Sequence, residues 1–149
     1  MTAAASARQE RLRALLGADS VLIDPQDCAP FLVDHLARCR GRALAVVQPN
    51  SVAQVAQLLA LCEAERIGVV PHGGNTSYCG GAIPDESGGE LVLSLRRLNR
   101  IRSVDADNYS LVAEAGCLLA QVQAAADAAE RFFPLSIGSQ GSCQIGGNL

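Results

Sequence analysis

The sequence predicts an α+β fold, in which a strand–helix–strand unit is followed by an antiparallel pair of strands. Apolar runs at 43–47 and 69–70 flank a segment of helical periodicity, which is the pattern of a βαβ unit. Two further strand-like segments, 98–105 and 110–115, are joined by the polar turn 105–108 and indicate an antiparallel pair. With 149 residues, 49% of them hydrophobic, the chain has enough apolar material for the core of one domain.

Residues 1–41 are predicted to form a helical lead-in. Ser6 and Gln9 have the spacing of a capping box, and leucines follow at helical intervals until Gly17, where the helix is expected to end. Two prolines interrupt the rest of the segment, and a brief helix is expected around Phe31. This lead-in is expected to pack on the domain that follows it.

Residues 42–97 are predicted to form a first lobe built on the βαβ unit. The apolar run 42–48 is typical of a strand that is covered on both faces, as in parallel sheets. Ser51 and Gln54 form a second capping box, and the helix that they begin is expected to end near Arg66. Two further strands are expected at 68–71 and 91–95. The residues expected on the buried face of the helix are Val52, Val55, Leu59 and Cys62.

Residues 98–149 are predicted to begin a second, mainly antiparallel lobe. After the strand pair, a helix is expected from Gly116 to the region of Arg131. A strand-like segment, 132–135, and a glycine-rich stretch follow it. The residues expected on the buried face of this helix are Leu118, Leu119, Val122 and Ala126.

The composition excludes several functions. The chain has no lysine, since its 12 basic residues are all arginines, and 15 acidic residues bring the net charge to −3. A Walker lysine and a Schiff-base lysine are therefore absent, and nucleic acid is repelled on average. Aromatic residues make up only 3% of the chain, which leaves few surfaces on which bases could stack. We expect no nucleic-acid partner.

The cysteines and the apolar stretches indicate in which cellular compartment the protein is expected and whether it spans a membrane. The six cysteines are scattered and contain no C-x-x-C pair, so we expect reduced thiols that pack as small hydrophobes, without a metal site. The N-terminus lacks the pattern of a secretory signal, and the longest uncharged apolar stretch, 51–62, is too short to cross a bilayer. An organellar transit peptide stays an alternative, since Arg8, Arg11 and Arg13 lie in an alanine-rich segment, although Glu10 and Asp19 count against it. These features predict a cytoplasmic protein that does not span a membrane.

Two glycine-rich loops carry the candidate site. Loop 1, residues 71–82, follows a strand, and its glycines let backbone N–H groups approach an anion closely. Asn75, Thr76 and Ser77 add side-chain donors. Loop 1 matches neither G-x-G-x-x-G nor the P-loop, and a plain turn-rich hairpin explains its composition equally well.

Loop 2, residues 138–148, contains four glycines and two serines and no positively charged side chain. Taken alone, this composition is also typical of a flexible tail. Two such loops, each following a strand in opposite halves of the chain, are better explained by a diphosphate held between the lobes by neutral donors. A dinucleotide is the natural ligand of such a site, and a module for another diphosphate ligand stays an alternative.

Four segments, taken in order, carry a family resemblance: P-H-G-G-N-T-S-Y-C-G-G-A at 71–82, L-V-L-S-L-R-R-L-N-R-I at 91–101, A-E-A-G at 113–116, and P-L-S-I-G-S-Q-G-S-C-Q-I-G-G-N at 134–148. Together they resemble the FAD-binding domain of the PCMH-type, or vanillyl-alcohol-oxidase, flavoproteins. Within that superfamily the chain is similar to the D-2-hydroxyglutarate, D-lactate and glycolate dehydrogenase branch. The family fold implies a small βαβ lobe and a mostly antiparallel lobe, with FAD extended between them.

The resemblance implies which residues hold FAD. On one side the pyrophosphate is held by amides and hydroxyls of Gly73, Gly74, Asn75 and Thr76, with His72 and Ser77 alongside. The second side is lined by Ser139, Gly141, Ser142, Gly146, Gly147 and Asn148.

Some family members attach FAD covalently through a histidine directly after the two glycines of the first loop. Asn75 stands at that place in this chain, so non-covalent FAD is expected. His72 is expected to be a loop residue without a catalytic role. Cys79 and Cys143 are expected to pack rather than to react.

The resemblance implies an FAD-linked dehydrogenase that oxidises a D-2-hydroxy acid to a 2-oxo acid by hydride transfer to the flavin. Electrons then pass to an electron-transfer flavoprotein or a quinone. In the family a separate substrate domain supplies the acid–base residues and metal-binding histidines. We therefore expect this chain to be an N-terminal fragment, with no catalytic residue of its own, that takes the 2-hydroxy acid only together with that domain. The alternative is a non-catalytic α+β remnant that binds a partner chain and no flavin.

Overall fold

The computed structural model describes residues 3–149, and within them the strands form one four-stranded and one two-stranded sheet. The elements are α1 (Ala3–Leu16), β1 (Val21–Leu22), α2 (Pro25–Cys28), β2 (Ala45–Val47), α3 (Val52–Glu65), β3 (Val69–His72), β4 (Leu91–Ser94), β5 (Ile101–Asp105), β6 (Ser110–Ala113) and α4 (Leu119–Ala128). Short 3₁₀ turns occur at Ala18–Ser20, Ala29–Phe31 and Ile145–Gly147. None of the helices within 3–149 has the length and apolar character needed to span a membrane.

The four-stranded sheet has the order β1-β2-β4-β3. β4 pairs in parallel with both β2 and β3, and β1 runs antiparallel at the edge beside β2. The predicted strand–helix–strand unit is confirmed, and β4 lies between its two strands. Pro71 and His72, the first two residues of loop 1, form the end of β3. Because parallel strands end at the same edge of a sheet, the rest of the loop leaves that edge directly after His72.

Each face of this sheet is covered by apolar side chains, as the continuous apolar runs predict. On one face, α1 and α3 contribute Leu12, Leu16 and Leu58 to a cluster with strand residues such as Val47. On the other face, Cys28 and Phe31 from the segment before β2 pack on Val46 and Val92.

The ends of α1 differ in part from the prediction. The helix is already formed at Ala3, so Ser6 lies inside it and is not its cap; the prediction was wrong because capping-box spacing also occurs within helices. The predicted stop is confirmed, since Gly17 adopts φ +86° and its N–H donates to the carbonyl of Arg13 at 2.9 Å. Glycine accepts this φ without the steric penalty of a side chain.

The ends of α3 are confirmed, and so are Val55 and Cys62 of its predicted buried face, whereas Val52 and Leu59 were wrongly placed there. The hydroxyl of Ser51 accepts from the N–H of Gln54 at 3.2 Å, and Arg66 ends the helix in the left-handed region. Leu58 and Cys62 are buried, whereas the side chains of Val52 and Leu59 are exposed. Apolar residues surround most of this helix, so their spacing does not select the face that meets the sheet. The residues that pack on the core are Val55, Leu58, Leu61 and Cys62.

The second lobe pairs β5 with β6 in the predicted antiparallel arrangement, with an irregularity between Ile101 and Ser103. Three predicted residues of α4 are buried, and Leu118 precedes the helix as its N-cap. These three are Leu119, Val122 and Ala126.

Segment 132–135 is not a strand. Phe133 and Leu135 pack against the second cluster while Phe132 faces outward, so the alternation typical of a strand is present without a pairing partner within 3–149. The strand prediction was wrong because this alternation arises from burial of one side of the segment and not from pairing with another strand. The cluster itself consists of Cys117, Leu119, Val122, Cys143 and Ile145.

A buried carboxylate joins the start of β5 to the end of β6. The side chain of Glu114 is 2% exposed and accepts from the backbone N–H of Arg100 at 3.0 Å. The guanidinium groups of Arg100 and Arg102 lie 3.1 and 3.2 Å from its Oε1. The hydrogen bond from the Arg100 side chain is the largest of the effects that lower the pKa of Glu114 to about 2.

Candidate cofactor-binding cleft

Loops 1 and 2 are in direct contact. A Cβ added at Gly74 would lie 2.1 Å from the carbonyl oxygen of Ser142 and 2.9 Å from the Cα of Cys143. Only glycine permits this approach of two backbones. The glycine at this position therefore serves the packing of one loop on the other.

Residues of both loops line a cleft of about 220 Å³ beside this contact, Gly74 and Cys143 among them. No formally charged side chain is among the residues that line it. They are Pro71, Gly73, Gly74, Asn75, Thr76, Ser77, Gly81, Ala82, Cys143, Gln144, Gly147 and Asn148. The structure thus brings together seven of the residues singled out in the sequence: Gly73, Gly74, Asn75, Thr76, Ser77, Gly147 and Asn148.

The other sequence-predicted residues of loop 2 lie around the cleft rather than in its lining. Ser142 faces Gly74 with its carbonyl, and its hydroxyl bonds to the carbonyl of Ser139 at 3.3 Å. Gly146 donates to the carbonyl of Ala115 at 2.9 Å, where a Cβ would lie 2.6 Å from the Ala115 side chain. Gly141 has open space around it. These residues shape loop 2 and anchor it to the second lobe.

The amide side chain of Asn75 is held by a distant part of the chain. Its Nδ2 donates to the carbonyl of Val33 at 2.8 Å, and its backbone has φ +54°. Asparagine is one of the residues that adopts this left-handed conformation most readily. Asn75 therefore turns the backbone of loop 1 while its amide nitrogen ties the loop to the segment before β2.

His72 was expected in a loop, but it is the last residue of β3, it is buried, and it is not among the residues that line the cleft. Its ring is 5.1 Å from the ring of Phe31, and it is paired in register with Ser94 on β4. Neither ring nitrogen, nor the buried Ser94 hydroxyl, has a hydrogen-bond partner within residues 3–149. Burial, followed by the positive charge of Arg96, lowers the pKa of His72.

Gln144 is a lining residue that was not among the predicted cofactor-binding residues, and Cys143, expected beside the cofactor as a packing residue, also lines the cleft. The Gln144 side-chain oxygen is buried without a partner within the described chain, and Nδ2 of Asn148 lies 3.4 Å from the Cys143 sulfur. Both residues belong to loop 2, so the glycine-rich pattern located the segment. It did not indicate which of its side chains turn inward. Pro71, Gly81 and Ala82 complete the residues missed.

The donor set fits a diphosphate. Glycine backbones line both sides of the cleft, and hydroxyl and amide side chains of Thr76, Ser77 and Asn148 stand beside them. Such neutral donors bind an anion without a counter-charge by directing several N–H and O–H groups at it.

Comparisons with known proteins agree with this chemistry. Residues 43–149 match the model of a family described as FAD binding domain. D-2-hydroxyglutarate dehydrogenase of Xanthomonas citri is 36% identical over 126 residues, which cover 85% of this chain and 26% of that protein. The mitochondrial D-2-hydroxyglutarate dehydrogenases of Bos taurus and Arabidopsis thaliana are 34% and 33% identical over 87% and 91% of this chain, and 23% and 24% of theirs. The chain thus spans about a quarter of the length of these relatives.

Solved structures share the fold at low identity. An alkyldihydroxyacetonephosphate synthase superimposes with a TM-score of 0.81 at 17% identity, over 93% of this chain and 30% of that one. A p-cresol methylhydroxylase superimposes with a TM-score of 0.71 at 21% identity, over 95% of this chain and 28% of that one. The PCMH-type fold and the resemblance predicted from the loops are confirmed. The chain belongs to the FAD-binding domain family, and FAD is its cofactor.

Proposed function

We propose that this chain is the FAD-binding portion of an FAD-linked dehydrogenase that oxidises a D-2-hydroxy acid to a 2-oxo acid. The observation that carries the proposal is the uncharged cleft between loops 1 and 2, in a chain whose relatives include D-2-hydroxyglutarate dehydrogenases. When bound, FAD supplies a hydride acceptor for the carbon that bears the hydroxyl group.

In this proposal the residues of the chain bind and orient the cofactor. Backbone N–H groups of Gly73 and Gly74 and the hydroxyls of Thr76 and Ser77 face one side of the pyrophosphate. Gly147 and Asn148 face the other side. Ser139, Gly141, Ser142 and Gly146 hold loop 2 in place, and His72 supports the base of loop 1.

We propose that the base that takes the hydroxyl proton comes from outside this chain. The cleft lining within residues 3–149 contains no carboxylate and no imidazole, which are the usual proton acceptors. We therefore assign proton transfer and substrate recognition to a separate substrate domain. An electron-transfer flavoprotein or a quinone is the proposed acceptor of the electrons.

FAD is proposed to bind without a covalent bond. Asn75 follows the two glycines of loop 1, and its amide donates to Val33, so it offers no nucleophile for attachment.

The proposed location is cytoplasmic. The free state of all six thiols is consistent with a reducing compartment, whereas the Bos taurus and Arabidopsis relatives are named as mitochondrial.

A second candidate is a non-catalytic α+β module that binds a partner chain. It is favoured by the exposed apolar side chains of Tyr109, Val112 and Phe132 on the second lobe, of which Phe132 is 84% exposed. This module would associate with itself or with another chain and would not retain flavin.

The visible absorption spectrum separates the two candidates. The purified chain is incubated with FAD, freed of excess cofactor and measured before and after denaturation. Our proposal expects a flavin spectrum on the folded chain and release of the flavin on denaturation. A colourless, self-associated chain would favour the second candidate, and flavin retained by the denatured chain would contradict non-covalent binding.

A further inference from the structure

Residues 33–40 form a small hairpin held together by one carboxylate. Val33 and Arg40 form an antiparallel bridge, and the N–H of Asp34 donates to the carbonyl of Cys39 at 3.1 Å. The carboxylate of Asp34 accepts from the N–H groups of Cys39 and Leu36 at 2.6 and 3.3 Å. Asp34 is 5% exposed, and the hydrogen bond from Cys39 is the largest of the effects that lower its pKa. We call this segment the 33–40 hairpin.

The 33–40 hairpin contacts loop 1 at three places: near the start of the loop, at its middle and towards its far end. Near the start, the carbonyl of Val33 accepts from Asn75 at 2.8 Å. At the middle, the ring of His35 lies 6.0 Å from that of Tyr78.

At the far end, the Cys39 sulfur is 2.6 Å from the position that a Cβ on Gly80 would take, and Gly80 has φ +70°. Just beyond the hairpin, the backbone of Gly41 is close enough to the carbonyl of Pro84 that no Cβ could be placed there. The hairpin therefore lies along loop 1 from Asn75 to the residues that follow it.

Loop 1 has little internal structure of its own. Within the described chain, the N–H of Cys79 donates to the Ser77 hydroxyl at 3.2 Å, and just beyond the loop the N–H of Ile83 donates to the carbonyl of Gly80 at 3.0 Å. A glycine-rich segment with few hydrogen bonds of its own has many accessible conformations. The conformational entropy lost when such a segment becomes ordered opposes ligand binding. The contacts with the hairpin restrict those conformations before any ligand arrives.

We propose that the 33–40 hairpin preorganises loop 1 for the cofactor, and that Asp34 is the positioning residue that keeps the hairpin folded. The inference rests on the proposed role of loop 1 in holding FAD. It extends the cofactor-binding machinery to residues that precede the family match at 43–149. Asp34 itself does not line the cleft, so it acts on the cofactor only through the hairpin and Asn75.

The test compares the 149-residue chain with Asp34→Ala, Asp34→Asn and Asp105→Ala. Asp105 is the matched control, because its Oδ1 accepts from the N–H of Asn108 at 3.0 Å in the turn between β5 and β6, away from loop 1. Two quantities are measured: the FAD dissociation constant by titration, and the hydrogen exchange of the loop 1 amides without FAD.

We expect Asp34→Ala to weaken FAD binding by about tenfold or more, the factor expected when charge-assisted hydrogen bonds that order the site are lost. Exchange at 75–81 should rise in the same variant. Asp34→Asn retains one acceptor oxygen and should recover part of both effects. Asp105→Ala should change neither the FAD dissociation constant nor the exchange of loop 1.

Unchanged exchange and unchanged FAD affinity in Asp34→Ala would overturn the inference. If the wild-type chain binds no FAD, the proposed function fails, while the exchange comparison still decides whether the hairpin orders loop 1. If Asp34→Ala does not fold, Cys39→Ala removes the sulfur from Gly80. It should raise exchange at Gly80 and Gly81, and unchanged exchange there would count against the inference.

Discussion

The backbone of Gly74 lies so close to the carbonyl oxygen of Ser142 that a Cβ on Gly74 would be 2.1 Å from it. The two loops of the cleft come from different lobes and are 68 positions apart in the sequence, by the residue numbers of this pair. Their contact therefore joins the lobes at the point where the cofactor is proposed to lie. Any side chain at position 74 must push the loops apart.

Gly74→Ala should weaken FAD binding and destabilise the fold. The added methyl group meets backbone atoms, which cannot rotate away, and overpacking of this kind costs about 1–3 kcal/mol. Gly138→Ala is the matched control, because a Cβ at Gly138 meets nothing within 4 Å. Urea unfolding and FAD titration measure both effects. Equal behaviour of the two variants would show that the loops do not depend on this contact.

Leu58→Ala should lower the free energy of unfolding by about 2–5 kcal/mol, the range for a leucine removed from a packed core. Leu58 is fully buried beneath the sheet. Its neighbour Leu59 is 44% exposed, so Leu59→Ala should change the free energy by less than about 1 kcal/mol. The comparison tests which face of α3 meets the sheet. A larger loss at Leu59 would reverse the assignment of the face.

Stability should fall as the pH is lowered from about 4.5 to about 2, because the pKa of Glu114 falls from 4.5 to about 2 in the folded chain. The unfolded carboxyl binds a proton in this interval and the folded one does not, so acid favours unfolding. Glu114→Gln should remove this part of the pH dependence, whereas substitution of the exposed Glu63 by glutamine should retain it. Urea unfolding at several pH values measures the slope. An unchanged slope in Glu114→Gln would exclude Glu114 as its source.

His72 predicts a second pH dependence, at higher pH. Burial lowers its pKa from 6.5, so below that pH the unfolded chain takes up a proton that the folded chain excludes. Stability should therefore decrease as the pH falls through 6.5 towards the lower folded pKa. His72→Gln should abolish this decrease, and substitution of the exposed His35 by glutamine should not. A decrease that survives in His72→Gln would have to come from another group.

Several features that depend on neighbouring residues were predicted well, although the capping-box spacing at Ser6 misplaced the start of α1. Ser51 and Arg66 bound α3 as expected, because capping is decided within one helical turn. The two glycine-rich loops were predicted to lie together because their compositions are unusual in themselves, and they line one cleft. In each case the relevant atoms are close in the sequence as well as in space.

Features decided by distant contacts escaped prediction. The face of α3 depends on which of Leu58 and Leu59 meets the sheet, and both are leucines. The amide of Asn75 reaches Val33, which lies 42 positions earlier, so no local pattern points to that bond. Gln144 turns into the cleft and Ser139 does not, because loop 2 is shaped by its contacts with Gly74 and Ala115. The composition of the loops indicated which hydrogen-bond donors are present, but it did not indicate which of them turn into the cleft.

The strand order β1-β2-β4-β3 has a consequence for the order of folding. Within residues 3–149, β3 pairs with β4 alone, and β4 follows it in the chain after the whole of loop 1. During synthesis β3 therefore leaves the ribosome without a partner strand, and its pairing waits until Leu91–Ser94 have been made. β2 also pairs in parallel with β4, so the parallel part of the sheet, including the strand that leads into loop 1, forms only after β4 has been made.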